Sequence, residues 1–204
     1  MIIFMKRKRL FVNKKTSTRQ RIEIVNWAAA NGYEAVVFPV SEEINEKSEY
    51  IKLAKKYELF IEAGGCELSL LLPRKLFFFH RDLFRMEQGK RKLHRHFCPT
   101  NPGTTAIIAE NARQLFERSM KTVTIPRVFH LLPDEGYENI WCSCPACRAF
   151  TPAEQNIIAV NSTADILLKL DPNARLGFMD LETDPQASQN RASVAPRLNM
   201  FTLN

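Results

Sequence analysis

The sequence predicts an α/β fold: a parallel-stranded (β/α) barrel of the TIM type, incomplete, with about half of the strands present. Three observations lead there. Helical and strand patterns alternate along the chain, which implies right-handed crossovers and a parallel sheet. No GxGxxG or Walker A sequence occurs, so the nucleotide-binding form of the open doubly wound sheet lacks its marker. Four segments read as strands, whereas a full barrel has eight strands in about 250 residues.

The elements follow in order. "RQRIEIVNWAAANGY" puts Ile22, Val25, Trp27 and Ala29 on a helical surface, with Gly32 as a C-terminal stop. "EAVVFPV" is a short apolar strand, suited to burial on both faces. Ser41 then reads as the N-cap of "EEINEKSEYIKLAKKYE", with acids in the first turn and lysines in the last. "LFIEA" is the next strand, ended by Gly64-Gly65. Residues 66–104 fit no simple unit, and an insertion of that length in a compact domain is usually functional. "TTAIIAENARQLFERS" is a helix with Ile107, Ile108, Ala112 and Leu115 or Phe116 on one side, and "RVFHLL" is a strand. "TPAEQNIIAVNSTADILLKL" carries the strongest helix signal. Thr151 and Glu154 form a capping box, Pro152 stands at the first helical position, and Asp171-Pro172 ends the helix. "ARLGFM" is the last strand.

The composition, 45% hydrophobic and 25% charged over 204 residues, is that of a globular protein. The formal charge of +7 is unevenly placed. The first fifteen residues hold Lys6, Arg7, Lys8, Arg9, Lys14 and Lys15 and no acid, leaving 23 basic and 22 acidic residues elsewhere. Residues 1–18 therefore read as a disordered basic arm, with a nucleic-acid or membrane-surface tether as the alternative, and residues 19–204 as the partial barrel. "MIIFMKRKRLFV" is too short an apolar run for a secretory leader, and no segment approaches the roughly 18 apolar residues of a membrane span. Five cysteines, an odd number, argue for a reducing compartment; the expected location is cytoplasmic.

In parallel α/β folds ligands bind at the C-terminal ends of the strands. Those ends hold Pro39 and Ser41, then Glu62, then Asp134 and Glu135, then Asp180 and Glu182. Acids converging on one mouth suit acid/base work, because repulsion and partial burial raise one pKa while another carboxyl stays ionised. Adjacent Asp134 and Glu135 point in different directions and cannot be the opposed pair of the usual two-carboxylate glycosidase. Either one pairs with an acid from another strand, or Glu135 is the proton donor and Asp134 orients a substrate group in substrate-assisted hydrolysis. These two are the candidate catalytic residues. Glu62, Cys66, His80, Asn101 and His130 are the candidate substrate contacts, and the basic run from Arg74 to Arg95 suits an acidic sugar or phosphate.

Cys142, Cys144 and Cys147 form C-x-C-x₂-C, and "CPAC" has metal-knuckle spacing. Cys98 is the natural fourth ligand of a structural zinc, with His94, His96 or His130 as substitutes. Reduced buried thiols and a redox pair are the competing readings. No organic cofactor is expected.

The blocks "EAGGCELSLLLPRKLFFFHRDLFRMEQGKR", "HFCPTNP", "VFHLLPDEG", "WCSCPACRAFTPAEQNIIAVN" and "APRLNMF" together resemble bacterial proteins of the domain of unknown function 4838 family. The resemblance runs from about Arg21 to the C-terminus. It implies a glycoside-hydrolase-type TIM barrel with an acid pair after a central strand. It also marks two departures: Cys66 stands where members have His, and members are longer at both ends. The expected function is acid/base hydrolysis of a glycosidic bond. The alternatives are a non-catalytic carbohydrate-binding or structural remnant and, more weakly, a zinc-knuckle nucleic-acid-binding protein. Exposed sheet edges favour self-association.

Overall fold

The computed structural model describes residues 7–13, 15–39, 46–134, 136, 140–179, 181 and 200–203; the side chains of residues 66, 67, 202 and 203 lie outside the description. Six strands form one sheet: β1 (Arg9–Phe11), β2 (Ala35–Pro39), β3 (Phe60–Glu67), β6 (Val128–Leu132), β7 (Arg175–Met179) and β8 (Met200–Leu203). Between β3 and β6 lies a two-stranded hairpin, β4 (Met86–Glu87) and β5 (Lys90–Arg91). The large sheet is mostly parallel, and its strand order β1-β2-β3-β6-β7-β8 follows the chain without reversal. A doubly wound sheet needs a point where the order turns back. Its absence favours the singly wound, barrel-type course. The helices α1 (Thr18–Ala30), α2 (Glu49–Lys56), α3 (Pro102–Ser119) and α4 (Pro152–Leu170) provide the crossovers.

Two strands escape the sequence reading, so the sheet has six strands where four are expected. The first corrects the basic arm: residues 9–11 are not disordered but pair parallel with β2, Arg9 opposite Ala35 and Phe11 opposite Val37. The reason is electrostatic. Arg7 and Arg9 both reach Glu62, a carboxylate only 1% exposed on β3, and a buried charge of that kind needs cations. The second is β8, which pairs parallel with β7.

Helix ends follow cap chemistry. Ser17 caps α1 through a capping box with Gln20, and beyond Asn31 the chain turns at Gly32 with φ +67°, where glycine carries no Cβ penalty. The buried face of α1 is Arg21, Val25 and Ala28, and Trp27 is 51% exposed. α2 is shorter than expected. It starts after Ser48 with no side-chain cap bond, and Ser41 lies outside the described residues. α4 has the expected box, Glu154 N donating to Thr151 Oγ1 at 3.3 Å and Thr151 N to Glu154 Oε2 at 2.8 Å.

Gly64-Gly65 do not end β3, which runs on to Glu67. Gly64 admits a neighbour: a Cβ there would sit 2.5 Å from the Cβ of His130. The insertion is built from short 3-10 turns at 68–71, 74–78 and 81–83, pinned by buried Leu68, Leu71, Leu72, Phe84 and Phe97. Such turns carry no hydrophobic period, so no regular element is legible there. Among the described residues, no helix is long and apolar enough to cross a membrane.

The chain forms two compact units, Met1–Cys66 with Leu115–His130 and Glu67–Gln114 with Leu131–Asn204. In the first, Phe38 of β2 packs on Tyr50 of α2, and Phe116 of α3 on Phe129 of β6, with ring centroids 5.0 and 4.8 Å apart. In the second, Asn156 of α4 donates to the Met179 carbonyl at 2.9 Å, tying the helix to β7.

Candidate functional site

In the first unit Glu62 is the hub of a buried polar cluster. Its Oε2 accepts from Arg9 Nε at 2.8 Å and lies 2.6 Å from His130 Nε2, while Arg7 donates to Oε1 at 3.3 Å. Burial pushes the Glu62 carboxyl up, but the hydrogen bonds of His130 and Arg9 and the Arg9 charge outweigh it and hold it below its ordinary value. Burial also dominates at His130, pushing the imidazole down against the pull of Glu62. The stable state is thus an ionised Glu62 and a neutral His130 whose Nε2 carries the proton and donates it to Oε2. Removing one partner from such a cluster typically costs about 3–5 kcal/mol, because the remaining charge is left buried. Glu62 and His130, both expected to touch substrate, are here bound to each other.

In the second unit Asp134 follows β6 and is fully buried. His96 Nδ1 lies 3.1 Å from Oδ2. Burial raises the Asp134 carboxyl, and neighbouring His96, Ser69 and the Arg74 charge bring it below its ordinary value. His96 stacks on Trp141 with ring centroids 4.1 Å apart. Arg74 donates to the carbonyls of Ser69, Leu93 and Arg95, so one guanidinium both gathers the insertion and faces the acid. Arg74 and His96 are not legible in the sequence as neighbours of Asp134, because they lie 60 and 38 residues before it. Glu135, Asp180 and Glu182 lie outside the described residues.

Also in the second unit, Cys98, Cys142, Cys144 and Cys147 come together, all buried, with sulfurs within 4.8 Å of one another. Cys98 Sγ is 3.7 Å from both Cys144 Sγ and Cys147 Sγ. Disulfide sulfurs stand at about 2.05 Å, so these are free thiols. A tetrahedron of thiolates about 2.3 Å from a central ion has an edge of about 3.8 Å, and the observed spacing fits it. The Met86 amide donates to Cys142 Sγ at 3.2 Å, and Arg91 approaches the same sulfur at 3.9 Å. Hydrogen bonds from Cys142 and Cys147 push the Cys98 thiol far down, while contact with Cys142 and Cys98 pushes Cys147 far up. Four thiols this close cannot all ionise without a cation among them, so the cluster could hold a metal ion. His96 and His130, named as substitute ligands, face carboxylates instead.

The other expected contacts separate. His80 is exposed. Asn101 caps α3: its Oδ1 accepts from Gly103 N at 2.8 Å and Thr104 N at 3.3 Å, and its Nδ2 donates to Asp82 Oδ2 at 2.9 Å. With Pro102 next, "TNP" is a helix start. The Cys66 side chain lies outside the described residues.

No protein-family model matches the chain, and no curated protein is similar to it in sequence. Solved structures do resemble it. One is the GH20 catalytic module of a pneumococcal exo-β-D-N-acetylglucosaminidase, with TM-score 0.62 and 11% identity over 96% of this chain and 58% of that one. A second is the GH20 β-N-acetylhexosaminidase of Streptomyces coelicolor A3(2), with TM-score 0.53 and 11% identity over 95% and 41%. A third is a GH42 β-galactosidase from G. stearothermophilus, with TM-score 0.52 and 11% identity over 88% and 34%. The chain thus spans less than two thirds of the structures it resembles. The likeness is one of architecture: the six described strands, mostly parallel and wound in chain order, give this protein an incomplete (β/α)-barrel fold of the TIM type.

Proposed function

We propose that the chain acts on a carbohydrate, with Glu135 as proton donor and Asp134 as the group that orients substrate. One observation carries the reading: an Asp-Glu pair directly follows the fourth strand of a sheet whose likenesses include GH20 barrels. Family 20 belongs to the substrate-assisted exceptions, in which the substrate supplies the nucleophile. One protein carboxyl then suffices for proton transfer, and a neighbouring one is free to hold the substrate. Kinship with the domain of unknown function 4838 family, proposed from the sequence blocks, points the same way. A second reading, a carbohydrate-binding remnant without turnover, is favoured by the complete burial of Asp134. The nucleic-acid reading is weakened by the engagement of Arg7 and Arg9 with Glu62.

Chromogenic N-acetylhexosaminides and galactosides separate the first two. Wild type should turn over at least one, and Glu135→Gln should lose about 10²–10⁴-fold in kcat, the usual worth of general acid catalysis. Wild-type rates no higher than the blank, or an undiminished Glu135→Gln, would end the enzymatic reading; saturable glycan binding without turnover would establish the remnant.

We also propose that the ion at Cys98, Cys142, Cys144 and Cys147 is zinc in a structural role. An all-thiolate tetrahedron leaves no open position for substrate, which suits a closed site. These cysteines join the insertion to the loop after β6, two segments with little regular structure between them.

A further inference from the structure

We infer that Phe78 and Phe79, with Lys75 and Arg81 near them in the chain, form a docking surface for an anionic lipid membrane. The two rings are 71% and 83% exposed, the most exposed large apolar side chains described. Their position is fixed. The adjacent Phe77 packs edge-on against buried Phe84 at 5.2 Å, the Phe79 and His80 amides donate to the Leu76 carbonyl at 3.1 and 2.7 Å, and Arg74 ties the start of the turn to three carbonyls. The benzyl groups are therefore presented by an anchored turn.

Rings that show this much surface protrude; they do not line a groove. Neither has a polar handle of the kind that makes Tyr and Trp useful in wet recognition sites. A soft apolar phase takes up such side chains, and contiguous exposed apolar surface marks interaction sites. The surrounding charge selects the phase. Residues 74–95 hold eight Lys or Arg against two acids. Both acids are engaged, Asp82 by Asn101 at 2.9 Å and Glu87 by Arg85 at 3.2 Å. Lys75, Arg81 and Lys90 are exposed, and the Arg81 guanidinium lies 5.5 Å from the Phe77 ring centre. Aromatic insertion combined with cation–headgroup attraction is the physics of peripheral binding to anionic lipid. It needs no membrane-spanning helix and does not depend on the carbohydrate reading.

The test is co-sedimentation of the full chain with phosphatidylcholine–phosphatidylserine vesicles and with pure phosphatidylcholine vesicles. Binding should favour the serine lipid and weaken with salt. F78S/F79S should lose roughly tenfold or more in partitioning, from the apolar area removed, and K75E/R81E should lose the lipid preference. F79W gives a second readout: its added emission should shift to the blue on vesicles and be quenched by brominated lipid. The proposal is overturned if wild type is not retained by serine-containing vesicles, if F78S/F79S binds as well as wild type, or if F79W emission does not move. It is also overturned if the chain binds heparin or DNA independently of the two rings while ignoring vesicles.

Discussion

The Glu62–His130 pair sets a pH dependence that can be signed from the structure. His130 titrates below its ordinary value when folded, so between that lowered value and about pH 6.5 the unfolded chain binds a proton that the native state refuses. Stability is therefore complete above pH 6.5 and falls as pH drops through the window. Glu62 and Asp134 are held below their ordinary values too; their contribution is present above about pH 4 and is lost only at lower pH. The urea midpoint of wild type should fall between pH 7 and pH 5, and that of His130→Gln should be lower overall but flatter across that interval. A flat wild-type curve would contradict the assigned protonation state. The sequence marks Glu62 as a strand-end acid. It does not show its partners, because the pair with Arg9 spans 53 residues and the arginines sit in a charge run that reads as solvated.

At the scale of elements, chemistry at the helix ends was the most legible part of the sequence. Thr151, Glu154 and Pro152 fix the start of α4 as expected. Asn101 does the same for α3, although the sequence alone offers it as a substrate contact. The two roles are separable. Asn101→Ala should cost about 1 kcal/mol in stability, and Asn101→Ser, which keeps a capping oxygen without setting a second carboxylate against Asp82, should recover much of it. Thermal denaturation of both variants checks this; equal losses would argue against the capping role. β1 stayed hidden for a different reason. Three residues are too few to show alternation, and Arg9–Phe11 gains its place from partners far away in sequence. The insertion was recognisable only as a stretch without period, and its order comes from buried leucines and aromatics that no local pattern organises.

For the molecule as a whole, the order of its strands decides its class; alternation predicts a parallel sheet but fits both a doubly wound sheet and a barrel, and the unreversed order is seen in the structure. The number of strands was not legible, since the two missed ones flank segments of biased composition. The cysteine cluster was legible in full, because short Cys spacings are local and the fourth ligand stood alone in "HFCPTNP". Protein purified under reducing conditions should contain close to one zinc per chain by elemental analysis, Cys144→Ser should lose it, and chelation should lower the melting temperature measurably. Metal well below stoichiometry in wild type would remove the zinc proposal.

Cys144 is made 46 residues after Cys98. At roughly 5–20 residues per second on the ribosome, the first thiol waits about two to nine seconds before the others are synthesised. During that interval the Cys98 sulfur lacks the three thiols that surround it in the folded protein. The speed of translation thus sets how long that thiol goes without the partners of the finished cluster.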